Sequence, residues 1–121
     1  MCNVRLAMTL LSARGRIEAW LDPQHDDQGD TIIRYACVFR DGSRGWTAGL
    51  VEAFVAPDVS DVVELPFVDP DQPWSQERSF ATAGEALRYA CEELGAGEDS
   101  LLEPGELQAK YDAALRKLDK R

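Results

Sequence analysis

The chain has 121 residues, which is the length of one ordinary domain. Hydrophobic residues make up 45% and charged residues 29% of it, a balance typical of globular proteins, so we exclude an intrinsically disordered chain. The net charge of −9, from 22 acidic and 13 basic residues, disfavours nucleic acid and anionic membrane surfaces as partners, because both are negatively charged.

The cysteines and the N-terminal stretch predict the compartment. Cys2, Cys37 and Cys91 are odd in number and far apart in sequence, which excludes a CxxC motif and disfavours a disulfide framework. The N-terminal residues lack the pattern of a signal peptide, and no apolar run is long enough to span a bilayer. We therefore expect a cytoplasmic protein without a membrane segment.

The first half of the chain predicts mostly strands. Because the apolar spacing in residues 1–15 suits more than one structure, we leave open a helix, an edge strand or a loosely attached extension. Arg16 to Leu21 alternates, with Ile17 and Ala19 on one face, and predicts a strand. The segment Asp22 to Asp30 predicts a polar loop.

Residues Thr31 to Val55 predict a central β-hairpin. Gly42 and Ser43 fit a two-residue type II′ turn, which favours glycine at its first position. The resulting register pairs Phe39 with Trp46 and defines one face that we expect the helices to cover. That face carries Tyr35, Cys37, Phe39, Trp46 and Leu50.

The same register has two further consequences. It would turn Glu52 toward the apolar face, so we predict a β-bulge at Gly49 that turns Glu52 outward. The opposite face of the hairpin carries Arg34 and Arg40 among small residues. No other part of the chain is assigned to cover that face.

After the hairpin we predict one more strand. The apolar run Val62 to Leu65 is interpreted as this fourth strand. The segment Asp69 to Glu77, which contains Trp74, is interpreted as a proline-rich loop.

The C-terminal part predicts two helices. Thr82 with Glu85 three residues later forms a capping box, and Gly95 suits the left-handed position just past a helix end. After a loop, a second helix is predicted to begin at Pro104 or Gly105 and to run toward the C-terminus. Strands followed by helices predict an α+β fold, in which an antiparallel sheet of three to four strands carries two C-terminal helices packed on one face. We expect residues 1–121 to form a single domain.

The residues around His25 were considered as a metal site. His25 is the only histidine in the chain, and three aspartates follow it, Asp26, Asp27 and Asp30. The segment lacks the residue order and the distal glutamate of a calcium-binding loop. Their interpretation as a solvated turn is favoured, and we predict no metal site and no cofactor.

Few residues in the chain suit catalysis. A nucleophilic triad would have to use His25, which lies in a polar loop without a nucleophile turn. Cys37 and Cys91 lie on predicted core faces, where thiols are inert. No glycine-containing turn matches a phosphate-binding loop. We therefore predict that the protein is not an enzyme.

Arginine and aromatic residues provide candidate binding positions. Arg34 and Arg40 share a hairpin face, Arg44 lies at the turn, and Trp74 lies in a loop. Arginine and tryptophan are the residues that most often anchor protein interfaces.

The charge of the chain favours protein binding. We predict a noncatalytic protein that binds a partner protein, with an immunity-type or inhibitor-type neutraliser of a basic enzyme as the concrete version. The carboxylates expected to carry this binding are Asp26, Asp27, Asp30, Glu92 and Glu93. The alternative is a small-molecule or metal sensor with a pocket between sheet and helices. A monomer and a homodimer both remain open.

Overall fold

A computed structural model describes residues 4–42, 45–56, 58–72, 74–97, 100–103 and 105–119. They form one five-stranded antiparallel sheet with strand order β4-β3-β2-β1-β5 and three α-helices, which confirms the α+β class but adds strands and a helix to the prediction. The elements are α1 (Val4–Arg14), β1 (Arg16–His25), β2 (Thr31–Asp41), β3 (Gly45–Phe54), a 3-10 helix (Val62–Glu64), β4 (Trp74–Phe80), α2 (Ala83–Glu93), β5 (Leu101–Leu102) and α3 (Glu106–Asp119).

Helices cover both faces of the sheet, so the prediction that the two C-terminal helices share one face is wrong. Helices α1 and α2 pack on the face that carries Ala36 and Val38, which we call the α1/α2 face. Helix α3 and the 3-10 helix pack on the face that carries Tyr35 and Cys37, the α3 face. The run Tyr35 to Val38 is buried throughout, because a separate layer of helices covers each face of the sheet.

The hairpin register differs from the predicted one by one residue. Asp41 pairs with Gly45, so three residues separate the strands where two were expected. Since neighbouring strand residues point to opposite faces, this shift moves Trp46 and Leu50 to the α1/α2 face, away from Cys37. Ser43 and Arg44 lie outside the described residues.

The predicted bulge at Gly49 is absent, because the pairing of β2 with β3 is regular throughout. Glu52 instead lies opposite Arg34, and their side chains form an ion pair of 3.2 Å. Gly49 instead leaves space for the side chain of Trp74. The Trp74 indole lies directly over Gly49, where a Cβ would come within 2.5 Å of the ring, and it stacks on Phe39 with ring centroids 5.6 Å apart.

The predicted fourth strand is wrong, and the predicted proline-rich loop is confirmed for residues 69–72 but wrong from Trp74 onward. Val62 to Leu65 begins with a 3-10 turn, in which the Asp61 carboxylate accepts a hydrogen bond from the Val63 N–H. The strand that pairs with β3 at the sheet edge is β4, which starts at Trp74 and was not predicted. Its central residues are exposed, so it has no apolar alternation that would predict a strand.

The predicted helix boundaries agree with the structure. The Thr82 hydroxyl accepts a hydrogen bond from the Glu85 N–H at 3.2 Å, as a capping box requires. Gly95 has φ of +84°, the left-handed conformation expected after α2. The segment 96–105, predicted as a loop, contributes the short strand β5.

The N-terminal residues 4–14 form helix α1. Ala7 and Leu11 on this helix are wholly buried against the sheet. Of the helices in the described ranges, none combines the length and the apolar character needed to cross a membrane.

Substitution of Gly49 tests the contact with Trp74. We expect Gly49→Ala to destabilise the fold by about 1–3 kcal/mol, as overpacking in a tight core does, because the new methyl group would overlap the indole ring. Urea unfolding followed by circular dichroism measures this loss.

Gly84→Ala is the matched control. A Cβ at Gly84, in the first turn of α2, meets nothing within 4 Å, so we expect stabilisation of about 0.4–1 kcal/mol from the lower entropy of the unfolded chain. Equal effects of the two substitutions would contradict the close approach of Trp74.

Candidate functional site

The candidate site lies where strand β1 extends beyond its neighbour. Strand β5 pairs only with Glu18 and Ala19, and the described residues place no strand beside the rest of β1 on that side. The pairing of β1 with β2 is irregular between Leu21 and Gln24, a segment that contains Pro23. Proline and bulges both discourage the addition of another strand, so this edge is better suited to side-chain recognition than to strand pairing.

Two concave surfaces flank this edge, one on each face of the sheet. The first, which we call the α2 groove, has a volume of about 640 Å³. It lies beside the C-terminal end of α2 and is lined, among others, by Asp22, Pro23, Gln24, Arg34, Leu94 and Gly95. The second, the α3 cleft, has a volume of about 410 Å³ and lies between Trp20 and helix α3.

The predicted acidic residues adjoin, in sequence, two segments that line the α2 groove. Asp26, Asp27 and Asp30 follow its wall in the β1–β2 turn, while Glu92 and Glu93 directly precede Leu94 at the end of α2. None of these five acidic residues is itself a lining residue of the groove.

The three aspartates have different roles. The Asp26 carboxylate accepts hydrogen bonds from the N–H groups of Gln28 and Asp30, at 2.9 and 2.8 Å, and so builds the turn. The side chains of Asp27 and Asp30 are exposed and form no ion pair with a described residue. These two carboxylates are therefore accessible to a partner.

Glu92 and Glu93 are exposed in an unfavourable position. The C-terminal end of a helix carries a partial negative charge, which favours cations over carboxylates. The last turn of α2 contains no basic residue, and no ion pair joins either glutamate to another residue in the described ranges. The stability of α2 therefore does not explain why two carboxylates occupy its C-terminal end.

The turn that follows β1 contains no metal-ligand cluster. His25 Nδ1 lies 3.3 Å from the Thr31 hydroxyl across the end of the hairpin. Among the described residues, no three His, Cys, Asp or Glu side chains are placed to hold one ion.

The structure separates the predicted arginine and aromatic positions. Arg34 lines the α2 groove and pairs with Glu52. Arg40 lies at the other end of β2, with its guanidinium 5.1 Å from the Trp46 ring centroid. Trp74 packs on the α3 face, and Arg44 lies outside the described residues.

One arginine–aromatic cluster was missed from the sequence. The rings of Phe80 and Tyr89 lie 5.3 Å apart, and the Arg78 guanidinium lies 5.6 Å and 6.0 Å from their centroids. Two of these residues belong to β4, whose exposed sequence gave no signal of a strand. The cluster joins the edge strand to α2.

Cys37 is a buried, titratable side chain beside the ion pair of Arg16 and Glu18. It is fully buried, and the Arg16 guanidinium donates a hydrogen bond to its Sγ at 3.3 Å. Burial raises the pKa of Cys37 to about 12, while Arg16 partly opposes this rise. The group is therefore a thiol at neutral pH, and a thiol is a poor nucleophile.

Comparison with protein-family models, with curated proteins and with solved structures finds no match to this chain. A function is therefore inferred from the geometry and charge of the α2 groove and the α3 cleft.

The buried thiol predicts a pH dependence of stability. In the unfolded chain Cys37 ionises near its ordinary pKa of 9.0, whereas in the folded chain the pKa is about 12. Its contribution is therefore fully present below pH 9.0 and is lost as the pH rises toward 12, by at most about 1.4 kcal/mol per pH unit.

We expect Cys37→Ala to lose less stability than the wild type between about pH 8 and about pH 10, as measured by urea unfolding at each pH. Burial also raises the pKa of Tyr35, but that residue ionises in the unfolded chain only near 10.0 and is present in both proteins. Identical pH profiles of variant and wild type would contradict the protonated, buried thiol.

Proposed function

We propose that this chain is a noncatalytic protein that binds a basic partner protein at its acidic end. We define the acidic end as the exposed carboxylates of Asp27, Asp30, Glu92 and Glu93, which adjoin in sequence the residues that line the α2 groove. An immunity-type or inhibitor-type neutraliser of a basic enzyme is the concrete form of this proposal. In that form the carboxylates take the place of the negative charge that the enzyme binds in its substrate.

The observation that carries the proposal is the position of Glu92 and Glu93. Two adjacent carboxylates at a helix C-terminus oppose the helix dipole and receive no compensating ion pair from the described residues. Charges that disfavour folding locally are accounted for when a partner supplies the compensating cations.

The overall charge supports the same proposal. At a net charge of −9, the protein attracts a basic partner over a long range and accelerates the encounter. The α2 groove gives the acidic end a concave surface of about 640 Å³, into which a side chain of the partner fits.

A small-molecule sensor is the second candidate function, in a restricted form. A pocket between sheet and helices would need Tyr35, Trp46 or His25 to converge. Tyr35 is buried on the α3 face, Trp46 packs on the α1/α2 face, and His25 is exposed at the end of β1. The observation that favours a small ligand is instead the α3 cleft at the sheet edge.

The double variant Glu92→Lys/Glu93→Lys separates folding from partner binding. We expect it to raise the free energy of unfolding by about 0.3–1 kcal/mol per residue at low salt, since lysines suit a helix C-terminus. We also expect it to lose the partner, because it reverses the charge at the groove. Thermal unfolding and affinity capture from the source cells, followed by titration of the purified partner, measure the two effects.

Glu64→Lys/Glu77→Lys is the matched control, because it changes the net charge equally at exposed positions away from the α2 groove. We expect this control to keep the partner. Recovery of no protein above background by the wild type, or equal recovery by both double variants, would overturn the proposal.

A further inference from the structure

The α3 cleft combines an apolar wall with two cationic side chains. Its helix side consists of Lys110, Ala113, Ala114 and Lys117, at the spacing i, i+3, i+4 and i+7 that forms one stripe of an α-helix. Its strand side includes the half-buried Trp20. The surface is therefore apolar in the middle and positively charged at both ends of the helical stripe.

The cleft exists because α3 changes side-chain size along its length. Its first half buries Leu107 and Tyr111 completely in the core of the α3 face. Where the helix passes Trp20, it carries two alanines, which are too short to fill the space beside the indole. The resulting volume of about 410 Å³ falls in the range of small-molecule sites.

The charges of the cleft are unusual for so acidic a chain. The sequence contains 22 acidic residues, yet neither Lys110 nor Lys117 forms an ion pair with a carboxylate in the described ranges. Lys110 contributes to a lowered pKa of Glu106, one turn earlier, although the hydrogen bond from the Glu103 N–H is the larger cause. Lys117 is thus available to an anion, and an anion in the cleft would compete with Glu106 for Lys110.

The geometry of the lysines specifies where that anion binds. Seven residues of α-helix separate the two Cα atoms by about 10 Å along the axis. Each lysine carries a flexible four-carbon stem, so both ammonium groups reach a carboxylate placed midway between them. Asp22, on the strand side of the cleft, repels a negatively charged ligand. It therefore favours a ligand with one negative charge over a ligand with two.

We propose that the α3 cleft binds a small aromatic monocarboxylate. The ring lies between the Trp20 indole and the two alanines, and the carboxylate accepts hydrogen bonds from Lys110 and Lys117. This site shares Trp20, Asp22 and Pro23 with the α2 groove but has a different helix as its other wall, and the proposal does not depend on the proposed protein partner.

Titration with 2-naphthoate tests this proposal. We expect saturable binding that shifts the NMR signal of the Trp20 indole N–H, and no comparable binding of the uncharged 2-naphthylmethanol. Lys110→Gln/Lys117→Gln should weaken the binding of 2-naphthoate by at least about threefold, because two ion pairs are lost. Asp22→Asn should tighten it, because the repulsive charge is removed.

Arg116→Gln is the control, since Arg116 is exposed on the same helix and does not line the cleft. We expect this variant to bind 2-naphthoate as the wild type does. The proposal is overturned if 2-naphthoate leaves the Trp20 signal unchanged, if the uncharged alcohol binds equally well, or if the lysine variant binds as tightly as Arg116→Gln.

Discussion

The burial of strand β2 on both faces is the constraint on which the structure depends. Antiparallel sheets often keep one face in water, and their strands then alternate between apolar and polar residues. In β2 the run from Tyr35 to Val38 is buried without interruption, because helices cover both faces. A charged residue is tolerated in this strand only near its ends or with a partner. Arg34 satisfies the second condition through its ion pair with Glu52.

Two-sided burial also determines where the protein is able to bind something. The inner part of each face is filled by core side chains, so the concave surfaces considered as sites lie at the sheet edge. There β1 continues past the two-residue strand β5. The α2 groove and the α3 cleft share Trp20, Asp22 and Pro23, and they differ in which helix forms the other wall. One short strand thus creates two surfaces with different chemistry.

The sequence predicted the features that depend on neighbouring residues. The capping box at Thr82, the glycine after α2 and the alternation of Ile17 with Ala19 each follow from local hydrogen bonding or periodicity. The hairpin register failed because two-residue and three-residue turns both suit the sequence after Asp41, while the choice inverts every side chain of β3. The second helical layer was missed because the wrong register placed Trp46 and Leu50 on the same face as Tyr35 and Cys37, which left small residues and arginines on the other face.

Some residues of the candidate sites could be predicted from the sequence, but their arrangement in space could not. The acidic residues at positions 26–30 and 92–93 were identified from their charge, but that their neighbours in sequence line one groove depends on α2 ending beside β1. Lys110 and Lys117 gave no signal, since a helical lysine is usually solvated and only the packing of α3 leaves space beside the Trp20 indole. Strand β4 was missed for a similar reason, because its contribution lies in the backbone pairing with β3 and its side chains are exposed.

The two proposed sites differ in how electrostatics acts on them. Attraction of a basic protein to the acidic end is a long-range effect of the net charge, so added salt weakens it over distances greater than about 10 Å. An anion that enters the α3 cleft is repelled by the chain as a whole and attracted by Lys110 and Lys117 nearby. Salt screens both contributions, which oppose each other, and it leaves the apolar contact with Trp20 in place. Binding in the cleft should therefore depend on salt less than binding at the acidic end, although both sites adjoin the same strand.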